Sequence, residues 1–453
     1  MSWKKIKLGE LLTESRIPAI RPDTNKRIKV KLKVLGVEKR PIENEKEGAT
    51  KQFERKRGQF IYGRQNFHKG AFGIVPDELD GFESSADLPA FDVRGDCLAT
   101  WLFYFFKIGN RYLELEKLAR GVGSKRIHPE QLSQIEIPLP SIEEQKHLIS
   151  KFRRAETQSS EISNEFTHQL HLLKQLRQAF LREALQGKLV VQDLNDESGS
   201  ELLTRIKTEK MQLIRERKIR KEKELPKIGA EEIPFEIPKN WTWCRLGEIA
   251  LSISTGPFGT MLHKSDYVEN GIPLVNPMNI IDERIVASKK MMINERTRER
   301  LSNYILKKDD IVLGRRGEMG RCAIVTEDEN GWLCGTGSFF LRIHSVIDKQ
   351  YFIKYLSSDS AKSFLLNSSV GSTMDNLNHK ILNSLVFPLA PLSEQVRIVT
   401  KLKQLMEYCG QLEQSIRHSQ IQIEQLLQQL LREALQPKGK HNQIDEINLA
   451  AEH

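Results

Sequence analysis

From residue 142 apolar side chains recur at Ile149, Phe152, Ile162, Phe166, Leu173, Leu176 and Phe180. Steps of three, four and seven place such positions along one face of a helix. The rhythm returns at Leu392, Val399, Leu402, Leu412, Ile416, Ile423, Leu426 and Leu430. The two runs superpose at a constant offset of 250, without a gap from 137 to 186. Fifteen positions are identical, among them Pro138/Pro388, Glu144/Glu394, Gln145/Gln395 and all six of LREALQ. An internal duplication explains this better than chance.

Each run carries the punctuation of a long helix. Pro138 and Pro140 hold the entry extended, and Ser141 can cap with Glu144 three residues on. In the second copy Pro391 precedes Ser393, which can play the same part. Gly187 and Pro437 suit the two ends. About 45 residues at 1.5 Å each make a rod of roughly 65 Å. A rod with one apolar stripe needs a partner, and its own copy is the simplest. Pseudo-twofold symmetry then implies antiparallel pairing. The expected seam is Ile149, Phe152, Leu173, Leu176 and Phe180 against Val399, Leu402, Ile423, Leu426 and Leu430.

Ahead of each helix lies a unit of roughly 140 residues with short, strand-like apolar runs. WKKIKLGEL (3–11) echoes WTWCRLGEI (241–249). More faintly, YGRQNFHKGAFGIVP (62–76) echoes LGRRGEMGRCAIV (313–325), each a Gly-Arg turn before an Ile-Val strand. DDIVLGRRGEMGRCAIVTEDENGWLCGTGSFFLRI (309–343) reads as three strands separated by turns. CLATWLFYFF (97–106) is about half the length of a membrane span and reads as a buried segment. Between the halves, ELLTRIKTEKMQLIRERKIRKEKEL (201–225) predicts another helix, with nine basic side chains between Arg205 and Lys223.

Composition narrows the chemistry. The 453 residues carry a formal charge of +10, which favours polyanionic partners without requiring one. Five scattered cysteines without a CxxC, and an N-terminus lacking the apolar core of a signal peptide, point to a reducing cytoplasm. Basic groups crowd the two Gly-Arg turns: Arg64, Asn66 and Lys69 in the first, and Arg315, Arg316 and Arg321 in the second. GVGSKR (121–126) and SVGSTMDNLN (369–378) add Ser124, Lys125, Arg126, Asn376 and Asn378. Such groups can grip phosphate or read base edges, although an exposed hairpin is the plainer alternative. No P-loop, no glycine-rich strand–loop–helix for S-adenosylmethionine and no serine triad stands out. VNPMN (275–279) is not the turn that holds a target amine in amino-methyltransferases. Cys322, Cys334 and His344 fit no standard zinc spacing. The chain reads as a binder without a catalytic or metal site.

IPLPSIEEQKHLISKF (137–152), AFLREALQGKLVVQDLNDESGSELLTRIKTEK (179–210), IPFEIPKNWTWCRLGEI (233–249) and FPLAPLSEQVRIV (387–399) together resemble the specificity subunits of type I restriction–modification enzymes. The resemblance implies an α+β fold: two mixed α/β target recognition domains separated by a long antiparallel coiled-coil pair, with an internal pseudo-twofold repeat. Recognition domain 1 would be 1–136, spacer helix 1 137–187, the connector 188–239, recognition domain 2 240–386, spacer helix 2 387–437 and a polar tail 438–453. Each domain would read half of an asymmetric site in double-stranded DNA. Two methyltransferase subunits and the endonuclease/translocase subunits would dock on the chain. S-adenosylmethionine, ATP and Mg²⁺ would belong to those partners, with no cofactor in this chain and no membrane. A stand-alone DNA-binding scaffold is the alternative.

Overall fold

The structure is a computed structural model that describes residues 3–41, 50–121, 125–288, 290–315, 320–369 and 377–435. The fold is α+β, in two compact units. One joins residues 1–169 with 415–453, and the other spans 170–414. Each contains one globular domain and a stretch of both long helices.

The two domains are built to one plan. In the first, Lys4–Lys7 forms an entry strand, Leu8–Leu11 a single helical turn and Leu12–Ser15 a strand. The second opens the same way with Thr242–Arg245, Leu246–Ile249 and Ala250–Thr255. The central sheet of the first domain runs 12–15, 90–93, 60–62, 72–74, entirely antiparallel. That of the second runs 250–255, 338–343, 311–314, 322–324, again antiparallel. The sequence echoes therefore fall on matching elements. An apolar helix follows each sheet, Ala99–Lys107 in one domain and Lys349–Leu356 in the other. The segment 97–106 is thus a core helix, with Trp101, Leu102 and Phe106 sealed among Phe60, Phe67 and Phe72.

Each domain closes on itself before its long helix begins. Glu136–Leu139 pairs antiparallel with the entry strand, Ile137 opposite Ile6; Val386–Leu389 does the same, Phe387 opposite Cys244. The helix Ile142–Leu185 then starts under a clamp. Gln145, fully buried, accepts the Leu98 N–H at 2.8 Å and donates to the Asp96 and Pro140 carbonyls, each at 2.9 Å. Gln395 repeats this, accepting from Asp348 N at 2.9 Å and donating to Ala390 O at 2.8 Å. The preceding glutamates accept indole N–H groups: Trp3 to Glu144 at 3.1 Å and Trp241 to Glu394 at 2.8 Å. Burial pushes the Glu394 carboxyl up, while its bonds from Trp241 and Gln192 act in the opposite sense.

Helix ends follow local chemistry in part. Ser141 Oγ accepts the Glu144 N–H at 3.3 Å, as an N-cap. Gly187, at φ +68°, closes the first helix in a Schellman motif, Lys188 N to Glu183 O and Gly187 N to Ala184 O. Ser393, by contrast, is not the second cap. Leu392–Ala434 begins one residue earlier, with Pro391 in the capping position and its carbonyl accepting from Gln395 N. The connector helix is Gly199–Arg215, shorter than the charge pattern predicts. Arg217 turns left-handed there, and Lys218 N bonds to Leu213 O. The stretch beyond is drawn onto the domain by Arg245, which donates to the Pro226 and Lys227 carbonyls and to Glu232.

Pairing of the long helices is antiparallel within each unit. In the first, Ile149 and Phe152 share a core with Leu431 and Leu435. In the second, Ala184 and Leu185 share one with Ile398 and Leu402, and Arg177 meets Glu413 at 2.7 Å. Leu173 is buried, while Phe180, Val399 and Ile423 are half-buried. Leu176, Leu426 and Leu430 do not belong to the seam: they are 40%, 52% and 50% exposed. The doublets Leu426–Leu427 and Leu430–Leu431 offer two neighbouring stripes, and packing against the first domain selects Leu427, Leu431 and Leu435.

Two measurements test this packing. Replacing Gln395 with Ala strands the buried Asp348 N–H and Ala390 carbonyl, and should cost about 2–4 kcal/mol in denaturant unfolding. Phe152→Ala should cost about 3–5 kcal/mol, whereas Leu426→Ala should change stability by less than about 1 kcal/mol.

Candidate nucleic-acid interface

In the first domain, strand 60–62 runs out into the Gly63–Arg64 turn and a single 3₁₀ turn, Phe67–Lys69. Arg64 N donates to Asp87 O at 2.9 Å, and Ile127 N donates to Arg64 O at 2.8 Å. The second bond draws a segment sixty residues downstream alongside the turn. Arg64, Asn66 and Lys69 are thereby brought together with Lys125 and Arg126. Lys125 bonds Glu116 at 3.0 Å and Arg126 lies 3.9 Å from Asp87; both are exposed pairs of little energetic consequence. Arg64 Nε and His68 Nδ1 are buried with no hydrogen-bond partner among the described residues. Burial holds the His68 imidazole below its ordinary pKa. Ser124 lies outside the described residues.

The backbone of this cluster is braced. Lys33 and Val34 are both left-handed, φ 56° and 59°, which is strained for a β-branched residue. Their N–H groups bond to the Lys69 and Gly70 carbonyls at 2.9 and 2.8 Å. Basic groups on a fixed backbone lose less entropy when they meet a ligand than groups on a floppy loop.

The second domain repeats the scaffold and uses its side chains differently. Leu377 N reaches Arg315 O at 3.3 Å, matching the Ile127–Arg64 bond. Arg315, however, turns inward: its Nε donates to Leu377 O at 3.2 Å and its guanidinium lies 5.9 Å from the Phe339 ring centre. Arg321 Nη1 donates to Pro277 O at 3.4 Å. Asn378 caps the helix His379–Ser384, accepting from Ile381 N at 3.0 Å. These three hold the protein's own backbone. Arg316 and Asn376 lie outside the described residues. His344 is buried against Glu209 at 3.1 Å, and among the described residues no three His, Cys, Asp or Glu side chains converge as a metal site.

Asp87 and the Lys33–Val34 brace carry no motif and act across the fold, so the amino-acid sequence does not mark them. The repeated Trp, Glu and Gln are visible in the sequence, and their bonding is visible only in the fold.

Two like domains closing onto antiparallel helices define the class of protein: a duplicated, two-domain α+β fold. Residues 238–424 match the type I restriction modification DNA specificity domain. The chain is 34% identical over 256 residues to the type I restriction enzyme EcoAI specificity subunit of Escherichia coli, covering 53% of this chain and 41% of that protein. With the EcoBI specificity subunit of Escherichia coli it shares 22% over 332 residues, 73% of this chain and 64% of that one. The aligned parts thus span less than two thirds of either relative. In fold, the HsdS subunit from Thermoanaerobacter tengcongensis matches over 96% of both chains, with a TM-score of 0.56 at 18% identity. The resemblance to type I specificity subunits is borne out, and this chain is related to them. Among the described residues no helix is long and apolar enough to cross a membrane.

The inward arginine and the outward one should differ under mutation. Arg315→Ala should lower stability by about 1–2 kcal/mol through its lost carbonyl bond and ring contact. Arg126→Ala should leave the denaturation midpoint unchanged.

Proposed function

We propose that this chain is the DNA sequence-recognition subunit of a type I restriction–modification enzyme, each domain reading one half of an asymmetric bipartite site. The observation that carries the reading is one scaffold presented twice with different loops: shared sheet order, shared clamp, and unlike side chains at the Gly-Arg turns. Unlike loops on like scaffolds imply unlike half-sites. The recognition domains are those of the duplication, 1–136 and 240–386, with 137–187 and 387–437 as spacer helices. In the first domain Lys69, Lys125 and Arg126 suit phosphate, and Arg64 suits a base edge. The length of the unread gap would be a property of the helices. A 44-residue helix is about 66 Å long, which bounds the gap at roughly 20 base pairs.

The role is non-catalytic. Methyltransferase and endonuclease/translocase subunits would dock on the chain in the cytoplasm, and they would carry S-adenosylmethionine, ATP and Mg²⁺. Methylome sequencing of cells expressing the chain with such partners tests this directly. The expected result is one asymmetric motif with two different halves. Arg64→Ala should relax one half and leave the other intact. Arg126→Ala should weaken binding to all sequences and reduce the slope of log K against log salt by about one. A single contiguous motif, or no methylation, would overturn the reading.

A further inference from the structure

The second domain's Gly-Arg turn is one of four loops locked together by glycines. Gly256 N donates to Ser338 O at 2.9 Å, and a Cβ on Gly256 would come within 1.9 Å of the Gly335 carbonyl. On its other side, the Gly335–Gly337 segment receives Asn276 and Pro277. Gly335 N donates to Val275 O at 2.8 Å, and a Cβ on Gly337 would meet Pro277 at 3.0 Å. Gly314 packs on Pro277 as well, Arg315 N bonds Gly337 O at 2.9 Å, and Arg321 holds the Pro277 carbonyl. Only the absence of side chains allows backbones so close.

What these braced loops present outward is apolar. Phe258 is 64% exposed, two residues beyond Gly256; Met278 is 63% exposed, next to Pro277. VNPMN (275–279) thus forms a capped 3₁₀ turn, with Asn276 N bonded to Asn279 Oδ1 at 3.0 Å, and Met278 stands on it. Single exposed apolar residues are ordinary. Two on loops interlocked around the same tripeptide make a rigid edge that packing alone does not call for. Lys264, six residues past Phe258, and Lys290, next in sequence to the Met291 that accepts from Asn276 Nδ2 at 3.1 Å, are exposed.

We propose that Phe258 and Met278 form an apolar reading edge that contacts base faces or thymine methyls of the second half-site, where Arg315 and Arg321 act as braces. Phe and Met are suited to such contacts, by insertion at a base step or by packing on a methyl group. The exposed Lys264 and Lys290 suit phosphates. The inference rests on the DNA-recognition reading above.

The test uses the full chain assembled with its methyltransferase subunits and a duplex carrying the site defined by methylome sequencing. Binding is measured over a range of salt for wild type, Phe258→Ala, Met278→Ala, the double variant and Phe258→Leu. Expected are about tenfold weaker binding of the cognate duplex for each alanine variant, unchanged binding of a non-specific duplex, an unchanged salt slope, and partial retention in Phe258→Leu. 2-Aminopurine placed across the second half-site should report an altered base environment that the double variant abolishes. Equal affinity in all variants, or equal loss on cognate and non-specific DNA, overturns the proposal. Failure of the double variant to assemble with the methyltransferase subunits also overturns it and assigns the edge to a protein partner. If the wild-type complex itself binds no bipartite duplex, the parent reading fails; if it does and the variants match it, only this inference fails.

Discussion

A primary amide sealed from water at the first turn of each long helix couples that helix to the domain beneath it. Gln145 and Gln395 each satisfy a backbone N–H at the start of the domain's apolar helix and a carbonyl just before their own. A buried amide is worth having only when its donors and acceptors are met, and a small rotation of the helix would strand several at once. The clamp therefore fixes direction as well as position. The indole-to-glutamate bonds from Trp3 and Trp241 reinforce it from the entry strand, so the first and last elements of a domain close on the same turn.

With the helix base held, the loops at the Gly-Arg turns are free to differ. In the first domain the Arg64 carbonyl receives Ile127 while its Nε has no partner among the described residues. In the second the same backbone contact recurs, yet the Arg315 side chain folds back onto Leu377 and Phe339. That backbone contact is common to both domains and the side-chain use is not. A scaffold that separates those two roles can change what it binds without changing how it folds.

The helices show a related division. Their stripes are wide enough to offer more than one seam, and burial is concentrated where a domain core is at hand: Phe152 with Leu431 and Leu435 in one unit, Leu402 with Ala184 and Leu185 in the other. Leu176 and Leu426 are identical in the repeat and exposed in both copies. Identity between repeats reports common descent of a position, which is a different matter from burial.

Periodicity, prolines, Gly187 and the 250-residue offset were enough to determine the duplication, the two long helices, the first N-cap and the matching of domain elements, because each rests on local backbone preference or on repetition. The family resemblance was legible for the same reason. Which leucine faces the seam, where the connector helix stops and which arginine points outward were decided only by tertiary contacts. Residues far apart in sequence set them: Phe339 and Leu377 for Arg315, Arg245 for the connector, the first domain's core for Leu431. No local pattern encodes a partner that arrives from another element, whether thirteen residues away, as Glu232 is from Arg245, or sixty-two, as Leu377 is from Arg315. Side-chain direction at a turn depends on that partner, whereas the existence of the turn is signalled by its local Gly-Arg pattern.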